Sequence, residues 1–176
     1  MTEFEDLRGR TFFWTRRQEH PFECSLYEHS TRVGLIIEQT LIHRLWVGFA
    51  GIDWQITPTG KGLRTQDRVT LADGRILVAQ GTRDRVGYTL SSEDGRTFRL
   101  CRINPYNAVW LDEDGGDLVT LRCTGNGFGN GGEISVMPLA PLLQAPILVV
   151  LGTLRAVRHG LFTPKIGDEV PRPPRN

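Results

Sequence analysis

Pro141-Leu-Leu-Gln-Ala-Pro-Ile-Leu-Val-Val-Leu-Gly-Thr-Leu-Arg-Ala-Val-Arg-His159 is the stretch of this 176-residue chain that reads as a helix; the residues before it read as short strands. It is apolar on every face: Ile147 to Leu151 cover more than one full turn without a polar residue. A helix with no polar stripe has to be buried, in the fold or in a membrane. A membrane span needs about 20 apolar residues. The apolar run from Leu139 to Leu154 is shorter, holds Pro141, Gln144 and Pro146, and ends at Arg155, Arg158 and His159. We therefore expect the helix, about residues 141–159, inside a protein core, with no transmembrane segment. Pro141 or Pro146 suits its first turn, where no backbone donor is lost. Basic residues suit its last turn, and Gly160 its C-terminal cap. Burying about ten of its aliphatic side chains, at about 1.5–3 kcal/mol each, would make it the main source of core stability.

Working back from the helix, residues 11–137 alternate with a period of two, and turn residues interrupt them every eight to twelve positions. Such spacing marks a barrel or sandwich of many short strands. Ala50-Gly51, Asp73-Gly74, Asp94-Gly95 and the run Asp112-Glu-Asp-Gly-Gly116 read as tight turns between antiparallel strands. Pro58-Thr-Gly-Lys-Gly62 and Gly125–Gly132 read as loops. The tally is about twelve strands and one helix.

Composition fits a globular protein: 39% of residues are hydrophobic and 23% charged, within the range of ordinary folded domains. A net charge of +1 supplies no global field for nucleic acid or an anionic membrane, so no nucleic-acid partner is expected. Lysine occurs only at Lys61 and Lys165. Cys24, Cys101 and Cys123 are odd in number and have no CxxC spacing, which argues against a disulfide framework or a zinc site. Cys101 and Cys123 read as small buried hydrophobes. The charged N-terminus lacks the apolar segment of a secretory signal, so a cytoplasmic protein is expected.

A meander of about twelve strands that ends in Gly131-Gly-Glu-Ile-Ser-Val-Met-Pro138, followed by one wholly apolar helix, resembles the tubby C-terminal-like superfamily. That group includes tubby domains, phospholipid scramblases and LURP-one-related proteins. The resemblance implies a mainly β fold: a closed antiparallel barrel of about twelve strands around a central hydrophobic C-terminal helix. It covers residues 11–160 as a single barrel domain; residues 1–10 read as a lead-in, and 161–176, Pro-rich and without apolar periodicity, as an extended or disordered tail. It also implies a phospholipid or a protein as partner. A barrel filled by its own helix keeps no lumen, so a non-enzymatic binding or scaffold module is the leading expectation. A lipocalin-like carrier with an open barrel is the alternative.

Chemistry-bearing residues are sparse. The Gly125–Gly132 loop lacks the GxxxxGK[ST] pattern of a phosphate cradle. His20, His29, His43 and His159 show no metal-binding spacing. Asp112, Glu113, Asp114 and Asp117 cluster around two glycines, but not at the spacing of a calcium loop. Arg83, Asp84 and Arg85 read as a charged turn. Arg16, Arg17, Arg32 and Arg44 would form a basic patch if the fold brought them together. Trp14, Trp46, Trp54 and Trp110 read as packing residues rather than a base-stacking platform. No Ser/His/Asp or Cys/His arrangement has a supporting motif, so no catalytic residue, metal ligand or cofactor is expected.

Overall fold

The computed structural model describes residues 5–16, 23–39, 44–59, 66–71, 76–83, 87–92, 94–104, 106–124 and 131–158. Among them are twelve strands and one α-helix, in the order β1 (Thr11–Arg16), β2 (Glu23–Glu28), β3 (Thr31–Gln39), β4 (Arg44–Phe49), β5 (Ile52–Thr59), β6 (Gln66–Leu71), β7 (Ile76–Arg83), β8 (Gly87–Ser92), β9 (Thr97–Asn104), β10 (Asn107–Leu111), β11 (Asp117–Cys123), β12 (Gly131–Val136) and α1 (Ala145–Arg158). The protein is mainly β, with its strands in one antiparallel sheet. Strands adjacent in the chain pair with each other, and β1 pairs with both β2 and β12.

The period-two pattern sets the faces. In β4 the burial alternates from Arg44 to Phe49, with Leu45, Val47 and Phe49 inward. In β12 Gly132, Ile134 and Val136 point inward. Residues 145 to 156 of α1 are all buried. Its large aliphatic side chains Ile147, Leu148, Val149, Val150, Leu151 and Leu154 join the core formed by strand residues such as Phe12, Trp14, Trp54, Leu100 and Trp110. These six are fewer than the ten expected. The difference lies in Leu142 and Leu143, which are exposed, and Val157, which is half-buried; the buried stretch also holds Ala145, Ala156, Gly152 and two polar side chains. Thr153 is buried because its hydroxyl donates to the Val149 carbonyl at 2.8 Å. Arg155 is only 6% exposed and lies 4.0 Å from the centre of the Tyr88 ring, a cation–π contact.

The helix starts four residues later than its earliest expected start at Pro141. Residues 141–144 make a turn instead, with the amide of Ala145 donating to the Pro141 carbonyl at 2.8 Å. The helical ladder follows with the Leu148 amide on the Gln144 carbonyl at 3.0 Å. Pro146 thus falls in the first turn, where its missing donor had no partner to lose. One consequence corrects the reading of residues 141–159 as one enclosed helix: Leu142 and Leu143 are exposed, as is Leu139 just before them.

Two expected loops also shrink. Pro58 and Thr59 belong to β5, facing Asp67 and Gln66 of β6. The β4 ladder to β5 ends at Leu45 and Ile56, so Pro58 removes no bond on that side. Gly131 and Gly132 belong to β12, opposite Thr15 and Trp14. The Asp73-Gly74 turn, residues 125–130 of the glycine-rich loop and the tail 161–176 lie outside the described residues. Ala50-Gly51 forms the expected tight turn, both residues at positive φ (56° and 73°), which matches the twist of the flanking strands.

Residues 5–10 are more than a lead-in. Leu7 is buried, the Gly9 amide donates to the Val136 carbonyl at 2.9 Å, and the Val136 amide donates to Arg10 at 2.9 Å. The Arg10 guanidinium bonds both oxygens of Glu28, at 2.7 and 2.5 Å, and Glu5 at 2.5 Å. The Arg10 hydrogen bond holds the Glu28 carboxyl below the ordinary glutamate value of 4.5 and raises the Arg10 guanidinium in turn. A carboxyl depressed in the folded state adds stability above its unfolded value, and that stability is lost as pH falls through the folded value. Glu28→Gln should therefore lower unfolding free energy by about 1 kcal/mol at neutral pH, as for a half-buried bidentate pair. The gap to the unmodified chain should close below about pH 4. Urea titrations at several pH values measure this; a gap that persists unchanged in acid rules it out.

Candidate functional site: a cleft beside the helix start

The β8–β9 turn, the β10–β11 turn and the connection between β12 and α1 meet at one end of the sheet. Each is held by its own residues. In the β10–β11 turn, Asp112 Oδ1 accepts from the amides of Asp114 (3.0 Å) and Gly116 (2.6 Å). Gly115 takes a φ of 83°, which a residue with a Cβ adopts only at a cost. The Glu113 carboxylate accepts the Thr97 amide at 2.9 Å and ties this turn to β9. In the β8–β9 turn, Asp94 accepts from the Ser92 hydroxyl and from Gln144 Nε2 (3.1 Å), and Arg96 Nε lies 3.4 Å away. The Ser92 bond is the main cause that draws the Asp94 carboxyl below its ordinary value. Through Gln144 this turn is fastened to the residue before α1.

Between these turns lies a cleft of about 310 Å³ lined by Arg96, Thr97, Phe98, Asp112, Glu113, Asp114, Leu118, Leu139 and Pro141. Phe98 and Leu118 are buried in its floor, whereas Leu139 is 84% exposed at its edge. Its formal charge is negative, three carboxylates against one guanidinium. The acidic turn singled out in the sequence therefore borders the cleft through Asp112, Glu113 and Asp114, while Asp117 begins β11. An oxygen of Asp112 and one of Glu113 are already bonded to backbone amides, and no group of three or more His, Cys, Asp or Glu suited to a metal occurs among the described residues.

Comparison with protein-family models, curated proteins and solved structures finds no match to this chain.

The other candidates do not assemble. Arg32, near the start of β3, faces Tyr27, whereas Arg44 begins β4 and faces Gln39 at the far end of β3. Seven positions separate Arg32 from Gln39, about 23 Å at roughly 3.3 Å per residue. Arg16 faces Cys24 on β2, and Arg17 lies outside the described residues. Arg83 ends β7 rather than sitting in a turn, and Asp84 and Arg85 lie outside the described residues. His20, His43 and His159 also lie outside them; His29 occupies the β2–β3 turn at a φ of 54°. Trp14, Trp54 and Trp110 are buried, so they pack the core and offer no stacking platform; Trp46 is half-buried. Cys24 and Cys123 are buried thiols pushed up to about 12 and about 11 by desolvation, a state that disfavours the reactive thiolate; Cys101 is half-buried.

The sequence did not single out Leu139, and it placed Leu142 and Leu143 in the enclosed helix of about residues 141–159. Pro146 carried the signal. A proline fits only the first helical turn, so the leucines before Gln144 fall outside the helix.

Proposed function

We propose that this chain is a non-enzymatic binding or scaffold module of the tubby C-terminal-like kind, its sheet closed as a barrel around α1. The burial of every residue from 145 to 156 carries the reading. The pairing of β1 with both β2 and β12 supports closure. Helix side chains then occupy the volume in which a lipocalin-like carrier would hold its ligand. Binding falls to the outer surface and the ends, and the cleft beside the helix start is a concavity among the described residues that suits it.

No helix among the described residues is long and apolar enough to cross a membrane. The lack of a shared face for Arg16, Arg32 and Arg44 favours a protein partner over an anionic lipid surface, which basic clusters recognise.

An amide-resolved NMR titration with an apolar probe, such as a fatty acid or anilinonaphthalene sulfonate, separates the two readings. A filled interior leaves the amides of Ile147 to Ala156 unmoved at saturating probe. Saturable shifts along that helix would make the chain a carrier.

A further inference from the structure

We propose that the cleft between the β8–β9 turn, the β10–β11 turn and residues 139–143 takes a short segment of a partner protein in which Arg or Lys flanks a leucine-like side chain; this rests on the binding-module reading. Leu139, Leu142 and Leu143 stand 84%, 39% and 53% exposed within five positions of the chain. Single exposed leucines are ordinary on a protein surface, but three so close together mark an interaction site. Leu139 and Pro141 form a wall of the cleft, and Phe98 and Leu118 supply an apolar floor. At about 310 Å³ the cleft is at the lower end of small-molecule pockets, room for two or three side chains from an extended segment.

Charge selects the occupant. Asp112, Glu113 and Asp114 rim the cleft, and its guanidinium, Arg96, already has Asp94 3.4 Å away. A phosphorylated peptide or an anionic lipid would bring like charge against these carboxylates. A basic segment meets complementary charge, and the turn hydrogen bonds hold Asp112 and Glu113 in place before it arrives. Apolar side chains from the segment would cover the leucines.

The test uses the isotope-labelled full chain and three short synthetic peptides of equal length. The first alternates Arg and Leu, the second has Glu in place of Arg, and the third has Ser in place of Leu. We expect the first alone to shift the amides of Thr97, Glu113 and Leu139 saturably. Its dissociation constant should rise about tenfold in Glu113→Gln/Asp114→Asn, which keeps the Thr97 acceptor, and about tenfold in Leu139→Ser. Ile103→Ser, an exposed site away from the cleft lining, should leave it unchanged. Binding should weaken between about 50 and about 300 mM salt. Equal shifts with the Glu peptide, no shift with any peptide, or unchanged affinity in both cleft variants overturns the proposal. Shifts confined to other surface strands overturn the cleft assignment and leave the binding-module reading standing. Cleft shifts that grow with protein concentration alone make a second copy of this chain the occupant and also overturn it. Failure of the binding-module reading appears separately, as apolar-probe shifts along α1.

Discussion

Val150→Asp is expected to abolish folding. Val150 is fully buried near the middle of α1, with Leu151 and Val149 buried beside it, in one core cluster with residues of the strands. An aspartate there would either ionise without a counter-charge or fold protonated, with its carboxyl cut off from water. The isolated charge is the costlier state, so the group would protonate, and an unmade hydrogen bond still costs about 1–3 kcal/mol. Lost apolar burial adds about 1.5 kcal/mol or more. Holding the carboxyl protonated at pH 7, about three units above its ordinary value, adds about 4 kcal/mol, and the sum of roughly 7–9 kcal/mol is comparable to the about 5–15 kcal/mol that holds a typical domain. It also falls on a helix whose residues 145 to 156 are all buried. Val150→Thr separates packing from polarity. The hydroxyl is nearly isosteric with a methyl and can donate to the carbonyl of Pro146 four positions back, as Thr153 already does to Val149. It should cost only about 1–2 kcal/mol and leave the chain folded. Near-UV circular dichroism and urea titration read both variants. A native spectrum for Val150→Asp would show that α1 is not central to the fold.

How far the sequence exposed this structure depended on the kind of signal. Period-two alternation is a property of each strand alone, and it located strands such as Arg44–Phe49 to the residue. Ala50-Gly51, Asp94-Gly95 and the Asp112–Gly116 run marked turns because positive φ and side-chain capping are also local requirements. The misreadings came from contacts between distant residues. Gly131 and Gly132 look like a loop in a glycine-rich run, yet they are a strand because Thr15 and Trp14 lie opposite. Arg155 looks like a solvated helix end, yet it is buried because Tyr88 supplies a ring face. The candidate cleft was half legible. Its acidic rim stood out as Asp112, Glu113 and Asp114, but its apolar wall was hidden. Leu139, Leu142 and Leu143 continue the hydrophobic run of the helix in sequence, and only the placement of Pro146 in the first turn separates them from it. Arg96 and Thr97 carried no signal, since their role comes from where the β8–β9 turn lands beside Glu113 and Gln144.

Gly132→Ala tests the joint between the first and last strands. Gly132 faces Trp14 in the β1–β12 register, and a Cβ at Gly132 would overlap three atoms of the Trp14 six-membered ring. The indole is 1% exposed and packed in the core, so it has no open space to swing into. Adding a methyl group to a packed core costs about 1–3 kcal/mol, and a rigid ring that cannot yield puts this case at or above about 3 kcal/mol. Gly152→Ala is the comparison. Its Cβ would meet the Leu121 methyls at 2.8 and 3.2 Å and the Trp110 Nε1 at 2.9 Å. A leucine end can shift a few tenths of an ångström, and alanine gains about 1 kcal/mol of helix propensity over glycine. The net loss there should be about 1 kcal/mol. Trp14→Leu removes the atoms that collide, so Gly132→Ala should cost far less in that background than alone, a coupling that urea titrations of the double-mutant cycle read directly. Additive losses would mean that the ring is not what excludes the Cβ. Amide exchange locates the damage: strain at this seam should speed exchange in β1 and β12 before it reaches β4 or β9, because those two strands share the ladder that the Trp14–Gly132 contact braces.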